Sequence, residues 1–147
     1  MKTYKVTVDD YGSIKCWYNE QDQLHNEDGP AVEYKSGTKH WYLNGQCHRE
    51  NGPAIERADG TKYWCLNGQF HRENGPAIEW ADGTKHWYIN GQRHRENGPA
   101  IEYVSGTKRW YINGKELTEA EFNARTKSCD GKVVEIDGKK YKLQEVK

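Results

Sequence analysis

The chain repeats itself every 23 residues, and this period restricts its fold more than any other feature of the sequence. The segment HRENGPAIE occurs at 48–56, 71–79 and 94–102, and HNEDGPAVE at 25–33 is the same element with three changes. Self-similarity at a fixed, short period predicts an array in which each unit is one supersecondary element that buries its apolar side against the next unit.

Each unit is predicted to form two short strands separated by turns. The first strand begins with Pro-Ala-Ile-Glu and ends at an Asp-Gly or Ser-Gly pair; the second, Thr-Lys-x-Trp-Tyr-Ile, ends at Asn-Gly. Asp-Gly and Asn-Gly favour type I′ hairpin turns, which need positive φ at both central residues. The predicted fold class is mainly β: an elongated antiparallel stack of β-hairpin repeats with a small C-terminal helix and hairpin as a cap.

Three regions follow from this interpretation. Residues 25–115 hold four repeats, and residues 1–24 form a degenerate N-terminal half-repeat that serves as a cap. Residues 116–147 form a helix plus β-hairpin cap, in which Thr118 and Glu121 are spaced as a helix capping box.

The C-terminal region departs from the repeat. A helix is predicted to end near Arg125 or Thr126. A hairpin with an Asp137–Gly138 turn should follow, and a two-residue turn pairs Val134 with Tyr141 and Glu135 with Lys140.

Strand alternation sorts the side chains into columns on two faces. We expect a buried spine made of a Trp column and a Val/Ile column, namely Trp41, Trp64, Trp87, Trp110, Val32, Ile55, Ile78 and Ile101. The opposite face of the second strand is expected to form a partly exposed contact surface, made of His40, Tyr63, His86 and Arg109 beside Tyr42, Cys65, Tyr88 and Tyr111.

Composition and charge exclude some functions. Lys plus Arg total 22 and Asp plus Glu total 22, so no basic excess attracts the chain to nucleic acid or to an anionic membrane. Six Trp and ten Tyr indicate a folded chain, because disordered chains are poor in aromatic residues. The N-terminal MKTYKVTVDD holds no apolar run, so we expect a cytoplasmic protein without a membrane partner.

Cysteines and histidines do not predict a metal site. Cys16, Cys47, Cys65 and Cys129 lack Cys-x-x-Cys spacing and fall outside a common column, which favours free thiols. Equivalent histidines in stacked units lie about 9–10 Å apart and cannot share one ion. We expect the column to hold loops together by hydrogen bonds; its members are His25, His48, His71 and His94.

Two charged columns leave alternatives open. Arg49, Arg72 and Arg95 are expected to form ion pairs that hold the connecting loops, or else to bind a small anionic ligand such as a phosphate.

A repeat-spaced glutamate pair could imitate a glycosidase dyad, but every unit carries the same glutamate, whereas an active site breaks such symmetry. We therefore predict no enzyme and no cofactor. The remaining columns are Glu33, Glu56, Glu79 and Glu102, and a solvated row of Lys39, Lys62, Lys85 and Lys108.

The unit resembles the MORN family of repeats. The matching residues are Asp82–Gly83, Trp87–Tyr88, Asn90–Gly91, His94 and Gly98. The variant with His-Arg-Glu-x-Gly-Pro-Ala and Trp-Tyr-x-Asn-Gly, and the Leu-Thr-Glu-x-Glu-Phe segment of the tail, resemble small accessory proteins of tailed phages. The resemblance implies a MORN-type antiparallel β-stack and an accessory interaction role, and some small phage proteins block host defence.

These observations favour a non-catalytic protein–protein interaction protein that binds and inhibits or redirects a host protein, in the host cytoplasm if the chain is phage-encoded. The alternatives are a sponge for a nucleotide-like signal and an enzyme that acts through repeat Glu and His residues; a homo-oligomer through a sheet edge is also left open. The candidate binding residues are His40, Tyr42, Tyr63, His86, Tyr88, Arg109, Tyr111, Arg49, Arg72 and Arg95.

Positions that differ between units are the most informative about a specific partner. Three equivalent positions stand out. Arg57 in one unit corresponds to Trp80 in the next, and Cys65 corresponds to Tyr88. Cys47 corresponds to Phe70 and Arg93 in later units.

Overall fold

The computed structural model describes residues 5–9, 12–127, 133–136 and 139–142. Its helix, α1, spans Glu119–Lys127. Its strands are β1 (Lys5–Val8), β2 (Ile14–Tyr18), β3 (Val32–Tyr34), β4 (Lys39–His40), β5 (Tyr42–Leu43), β6 (Gln46–Cys47), β7 (Ile55–Glu56), β8 (Lys62–Tyr63), β9 (Cys65–Leu66), β10 (Gln69–Phe70), β11 (Ile78–Glu79), β12 (Lys85–His86), β13 (Tyr88–Ile89), β14 (Gln92–Arg93), β15 (Ile101–Glu102), β16 (Lys108–Ile112), β17 (Lys115–Leu117), β18 (Val133–Ile136) and β19 (Lys139–Lys142).

Successive hairpins build one antiparallel sheet of eleven strands, in the order β1-β2-β3-β4-β7-β8-β11-β12-β15-β16-β17. The predicted fold class is confirmed: the protein is an elongated β-hairpin repeat stack. The sheet begins at β1, where the side chains of Val6 and Val8 are about half exposed, at 50% and 51%. Pairing of this edge with a second copy stays a prediction.

Each unit contains two hairpins rather than the two strands predicted. The strand expected through Trp64 is divided into β8, which belongs to the main sheet, and β9, which pairs with β10 in a separate small hairpin. The Trp64 backbone lies at the division: its N–H donates to Ala77 O at 2.7 Å, and its carbonyl accepts the His71 N–H at 3.0 Å. The last unit differs, because β16 runs without a break through Trp110.

The two kinds of turn differ, although type I′ was predicted for both. Asn67 and Gly68 have φ values of 50° and 78°, as a type I′ turn requires. In the Asp-Gly turn only the glycine, Gly60, has a positive φ, 93°. There the Gly60 N–H donates to Arg57 O and the Arg57 N–H to Thr61 O, which is the pattern of a type I turn followed by a left-handed glycine.

The tightest part of the core is a column that sequence reasoning missed. Ala31, Ala54, Ala77 and Ala100 are all 0% exposed. The backbone carbonyl of each alanine accepts the N–H of the tryptophan in the preceding unit, as Ala77 does from Trp64, where the chain passes from the main sheet to a small hairpin. Because these side chains are fully enclosed, no room remains for a larger one. The sequence signal for this column is the alanine that follows every Gly-Pro pair.

The predicted buried spine is confirmed for the Val/Ile column at Val32, Ile78 and Ile101, which are 4%, 5% and 1% exposed. The prediction that the Trp column is buried is wrong, because its members are only half-buried. Trp87 does pack against the cluster of Ala100, Ile101 and Tyr111.

Buried threonines join one unit to the next. Thr61 and Thr84 are 2% and 7% exposed. The Thr61 hydroxyl accepts the backbone N–H of Ala81 at 3.2 Å, and the Thr84 hydroxyl accepts that of Val104 at 3.4 Å. This column also escaped the sequence analysis.

The C-terminal helix begins as predicted. The Thr118 N–H donates to Glu121 Oε2 at 2.7 Å and the Glu121 N–H donates to Thr118 Oγ1 at 3.2 Å, which confirms the capping box. The helix contacts β16 and β17 and buries Phe122, which is 4% exposed. It ends at Lys127, slightly beyond the predicted end.

The final hairpin, β18 with β19, has the predicted register, with Val134 opposite Tyr141 and Glu135 opposite Lys140. The predicted Asp137–Gly138 turn lies outside the described residues. Within the part of the chain that the structure describes, there is no helix with the length and apolar character needed to cross a membrane.

Candidate functional site

The register of the main sheet places the His/Tyr column beside the Val/Ile column. Ile78 is paired with Tyr63 on one side and with His86 on the other. Residues paired across antiparallel strands point to the same face. The prediction that these two columns lie on opposite faces is therefore wrong, and the reason is that the strand breaks at tryptophan, so alternation cannot be extended from one column to the other.

We call this side of the sheet the aromatic face. Its rings lie within contact distance of one another: Tyr63 is 6.0 Å from Phe70 and 5.8 Å from Trp80, and Phe70 is 5.4 Å from Tyr88, between ring centroids. Such separations are typical of attractive aromatic pairs. The face is defined by Tyr34, His40, Tyr42, Tyr63, Phe70, Trp80, His86, Tyr88 and Tyr103.

His86 lies at the centre of the larger ring group. Its ring centroid is 6.3 Å from that of Trp80 and 6.1 Å from that of Tyr103. Its Nε2 atom is buried without a hydrogen-bond partner among the described residues. Burial, with a contribution from the positive charge of Arg93, lowers the pKa of His86, so the ring is neutral near pH 7.

His40 occupies the equivalent place between Tyr34 and Tyr42, at 5.4 Å and 6.3 Å from their ring centroids. Burial lowers its pKa as well, with a contribution from Arg57. Between the two ring groups, Arg57 stands where the other units carry Tyr34, Trp80 or Tyr103. A cavity of about 380 Å³ opens at this substitution; it is lined by Tyr34, Ser36, Thr38, His40, Ile55, Arg57 and Tyr63.

Part of the aromatic face is open to solvent. Trp80 and Tyr103 are 38% and 37% exposed, and the neighbouring Val104 is 68% exposed. Arg93 borders this area: its Nε donates to the Tyr88 hydroxyl at 3.1 Å, and its guanidinium carbon lies 5.3 Å from the Tyr111 ring centroid.

The candidate residues of the contact surface differ in exposure. His40, Tyr42, Tyr63, His86 and Tyr88 are half-buried. Arg109 is exposed and its Nη1 donates to Glu116 at 3.1 Å. The expectation of partial exposure is wrong for Cys65 and Tyr111, which are 3% and 8% exposed, because each packs beneath the residue that ends the preceding small hairpin.

The arginines of the connecting loops lie elsewhere. The Arg72 guanidinium carbon is 3.8 Å from the Trp64 ring centroid, and its Nη1 donates to Pro76 O at 3.0 Å and to Glu79 at 2.8 Å. A Cβ on Gly75 would come within 3.0 Å of this guanidinium. The guanidinium is therefore clamped between an indole ring and a glycine.

The same arrangement recurs at Arg49 and Arg95, whose guanidinium carbons are 3.8 Å and 3.9 Å from the Trp rings beneath them. Both donate to a proline carbonyl and to a strand glutamate. The expected ion pairs are present, and the arrangement favours the loop-holding interpretation of this column. In the first unit Asn26 takes over one of the bonds, since its Nδ2 donates to Pro30 O at 2.9 Å.

The loop histidines bind the Asn-Gly turn that follows. His71 Nδ1 accepts the Asn90 N–H at 3.2 Å and lies 2.8 Å from the Asn90 side-chain oxygen. The same backbone bond links His25 to Asn44 at 3.0 Å. The column therefore joins each loop to a hairpin 19 residues further on, which supports a structural role.

Glutamates and lysines alternate on the face opposite the Val/Ile column, which confirms the side that strand alternation predicts for the glutamates. Glu79 is paired with Lys62 and Lys85, and all four repeat lysines are exposed. We call this side the charged face. Glu56, Glu79 and Glu102 are each bound to a loop arginine, so the glutamates that an enzymatic mechanism would need are engaged in holding loops.

Three notches of about 350–560 Å³ separate successive loops, and each is lined by the loop residues of two units and by the Trp between them. Because the same lining recurs, none of them is a unique site. Among the described residues there is no group of three or more His, Cys, Asp or Glu that could hold a metal ion.

No protein-family model matches the chain, and the curated proteins and the solved structures contain no match to it either. The resemblance to MORN repeats therefore depends on the residues quoted for it and stays a prediction.

Proposed function

We propose that this chain is a non-catalytic repeat protein that binds another protein through the aromatic face. The observation that carries the proposal is the solvent-exposed part of that face, where Trp80, Tyr103 and Val104 expose apolar surface next to packed rings. Trp and Tyr are enriched at protein interfaces and dominate their binding free energy, and exposed apolar patches mark interaction sites.

The geometry supports this use in a second way. The rings of Trp80 and Tyr103 both contact His86, whose strand is hydrogen-bonded on both sides within the sheet. Anchors that are held in place before binding lose little conformational entropy in the complex. Arg93 adds positive charge at the border, so the partner surface we expect is apolar with acidic groups next to Arg93.

We propose further that the partner is a host protein and that the chain is a phage-type accessory protein that inhibits or redirects it. Support comes from the resemblance of its repeat and of the Leu117–Phe122 segment to small phage proteins.

A capture experiment from bacterial lysate tests the proposal. The intact chain is compared with a Trp80→Ala/Tyr103→Ala variant and with a Lys62→Ala/Lys85→Ala variant, at low and high salt. The lysines lie on β8 and β12, which pair with the strands that Trp80 and Tyr103 follow, but they point to the charged face. They therefore provide a matched control on neighbouring strands. We expect a specific protein to be captured by the intact chain and by the lysine variant and to be lost with the aromatic variant.

Two outcomes would contradict the proposal. One is that no specific protein is captured at either salt concentration. The other is that the aromatic variant, shown by circular dichroism to be folded, captures the same protein as strongly as the intact chain does.

The cavity beside Arg57 favours a second candidate function, a sponge for a nucleotide-like signal. Tyr34 and Tyr63 supply rings for stacking, and Arg57 supplies an exposed guanidinium for an anionic group. Thermal-shift screening against nucleotides and cyclic nucleotides tests it, with Arg57→Tyr as the control because the first and fourth units carry Tyr there. The absence of a shift with every compound would remove this candidate.

A further inference from the structure

The residue that ends each small hairpin packs on a residue of the next small hairpin, 18 positions further along the chain. Phe70 and Tyr88 make this contact with ring centroids 5.4 Å apart, and the Arg93 guanidinium carbon lies 5.3 Å from the Tyr111 ring. The contact therefore has a fixed place in the fold, and its chemistry differs at each junction between units.

At one junction both positions are cysteine, namely Cys47 and Cys65. The two thiols are hydrogen-bonded to each other. Their backbones are fixed in the same way as at the Phe70–Tyr88 junction: the Gly68 N–H donates to Cys47 O at 2.9 Å, and the Arg49 N–H donates to Cys65 O at 3.1 Å.

The two cysteines differ in access and in acidity. Cys47 is half-buried, whereas Cys65 is 3% exposed. The hydrogen bond from Cys47 lowers the pKa of Cys65, and the same bond, together with burial, raises the pKa of Cys47. The two thiols therefore interact directly, and Cys47 is the one that a small disulfide in solution can reach.

We propose that Cys47 and Cys65 form a thiol–disulfide exchange site that takes small-molecule disulfides as its reactant and closes to a disulfide between two successive repeat units. Both residues are free thiols in this structure. The site is independent of the proposed binding function, because the sulfurs replace rings that elsewhere belong to the packing of the hairpins.

The exchange balances in two steps. Cys47, after giving its proton to solvent, attacks one sulfur of a small disulfide such as oxidised glutathione, which forms a mixed disulfide on Cys47 and releases one small thiolate. The second cysteine, after giving its proton to solvent, attacks the protein sulfur of the mixed disulfide, and the second small thiolate leaves. Two protein thiols become one disulfide, and one small disulfide becomes two small thiols.

The closed form would restrain the unfolded chain. The bond joins β6 to β9 and closes the segment between residues 47 and 65, which contains the exposed Arg57 turn. A cross-link over a loop of this length reduces the entropy of the unfolded state, and we expect a rise in Tm of about 5–10 °C.

The experiment uses the full chain with Cys16→Ser and Cys129→Ser, so that Cys47 and Cys65 are the remaining thiols. The protein is incubated with oxidised glutathione and followed by free-thiol titration, intact mass and non-reducing peptide mapping. We expect the loss of both thiols, a mass lower by two hydrogen atoms, a peptide that joins residues 47 and 65, and the rise in Tm, all reversed by dithiothreitol.

Three results would overturn the proposal: two unreacted thiols, a glutathione adduct that persists on Cys47, or a covalent dimer. A Cys47→Phe/Cys65→Tyr variant, which reproduces the Phe70–Tyr88 pair, is the matched control. It should fold and show no change in Tm with oxidised glutathione; a rise in Tm equal to that of the cysteine pair would show that the stabilisation has another origin.

Discussion

The loop side and the aromatic face of the same repeats use their side chains differently. On the loop side, Arg72 stacks on Trp64 and donates to Glu79 and Pro76, and the equivalent arginines do the same. On the aromatic face, Trp80 and Tyr103 leave more than a third of their surface open, and the corresponding position of another unit is Arg57.

This difference separates scaffold from recognition. The repeated arginines of the loop side have their donors and stacking surfaces occupied within the protein, so little remains for a ligand. The variable position held by Arg57, Trp80 and Tyr103 retains exposed charged or apolar surface. We infer that the fold depends on the repeated residues and that a specific partner contacts the variable ones, a division that the following variants are designed to break or sharpen.

The largest effect is expected at the alanine column. Ala77→Leu inserts three carbon atoms where the native side chain is 0% exposed, so the free energy of unfolding should fall by about 3 kcal/mol. Denaturant unfolding measures it. Ala81→Leu is the control, since Ala81 is exposed four residues away, and its effect should be close to zero. Equal effects at both positions would show that the column is not the close-packed core.

A smaller loss is expected on the loop side. Arg72→Ala removes the stacked guanidinium and its bonds to Glu79 and Pro76, and we expect a loss of about 2 kcal/mol in the free energy of unfolding. Arg57→Ala provides the comparison, because the Arg57 side chain is 50% exposed and should contribute little. If the two variants unfold at the same denaturant concentration, the distinction between a structural and a surface arginine is wrong.

The aromatic face should show the opposite balance. Trp80→Ala should lower the free energy of unfolding by about 1–2 kcal/mol, because the indole is 38% exposed and contacts Tyr63 and His86, yet it should weaken partner capture strongly. Arg72→Ala should leave capture by the remaining folded protein unchanged. If partner capture falls in both variants in proportion to the loss of stability, the two regions do not have separate roles.

The smallest effect is the pH dependence contributed by His86. Its pKa in the folded protein is lowered by burial and by Arg93, so the unfolded chain binds the proton more readily. The stability is complete above about pH 6.5 and is lost as the pH falls below that value. His86→Tyr, which copies Tyr63 of the preceding unit, should make the loss of stability between about pH 7 and pH 5 shallower. Identical slopes would show that the His86 ring is protonated as easily when folded.

The sequence predicted the parts of this fold that local chemistry decides. Asn-Gly turns and the Thr118–Glu121 capping box depend on residues close together in the chain, and both are confirmed. The small hairpins and the Ala column were not predicted, because hydrogen bonds such as that from Trp64 to Ala77 join different units.

Faces were harder to predict than columns. Alternation gave the correct side for Glu79 against Ile78, which share a short strand. It failed between Ile78 and Tyr63 or His86, because the chain bends at tryptophan and the face then depends on pairing between strands. The candidate binding residues therefore do not form one surface: the loop arginines and the aromatic face are separate regions.

Hydroxyl-radical footprinting of the complex with the captured protein, read by mass spectrometry at individual side chains, tests the central claim most directly. The account predicts that oxidation of Trp80 and Tyr103 falls on complex formation, while that of Trp64, which lies under Arg72 on the loop side, does not change. Unchanged oxidation of Trp80 and Tyr103 together with protection of Trp64 would contradict it, since the partner would then contact the repeated residues.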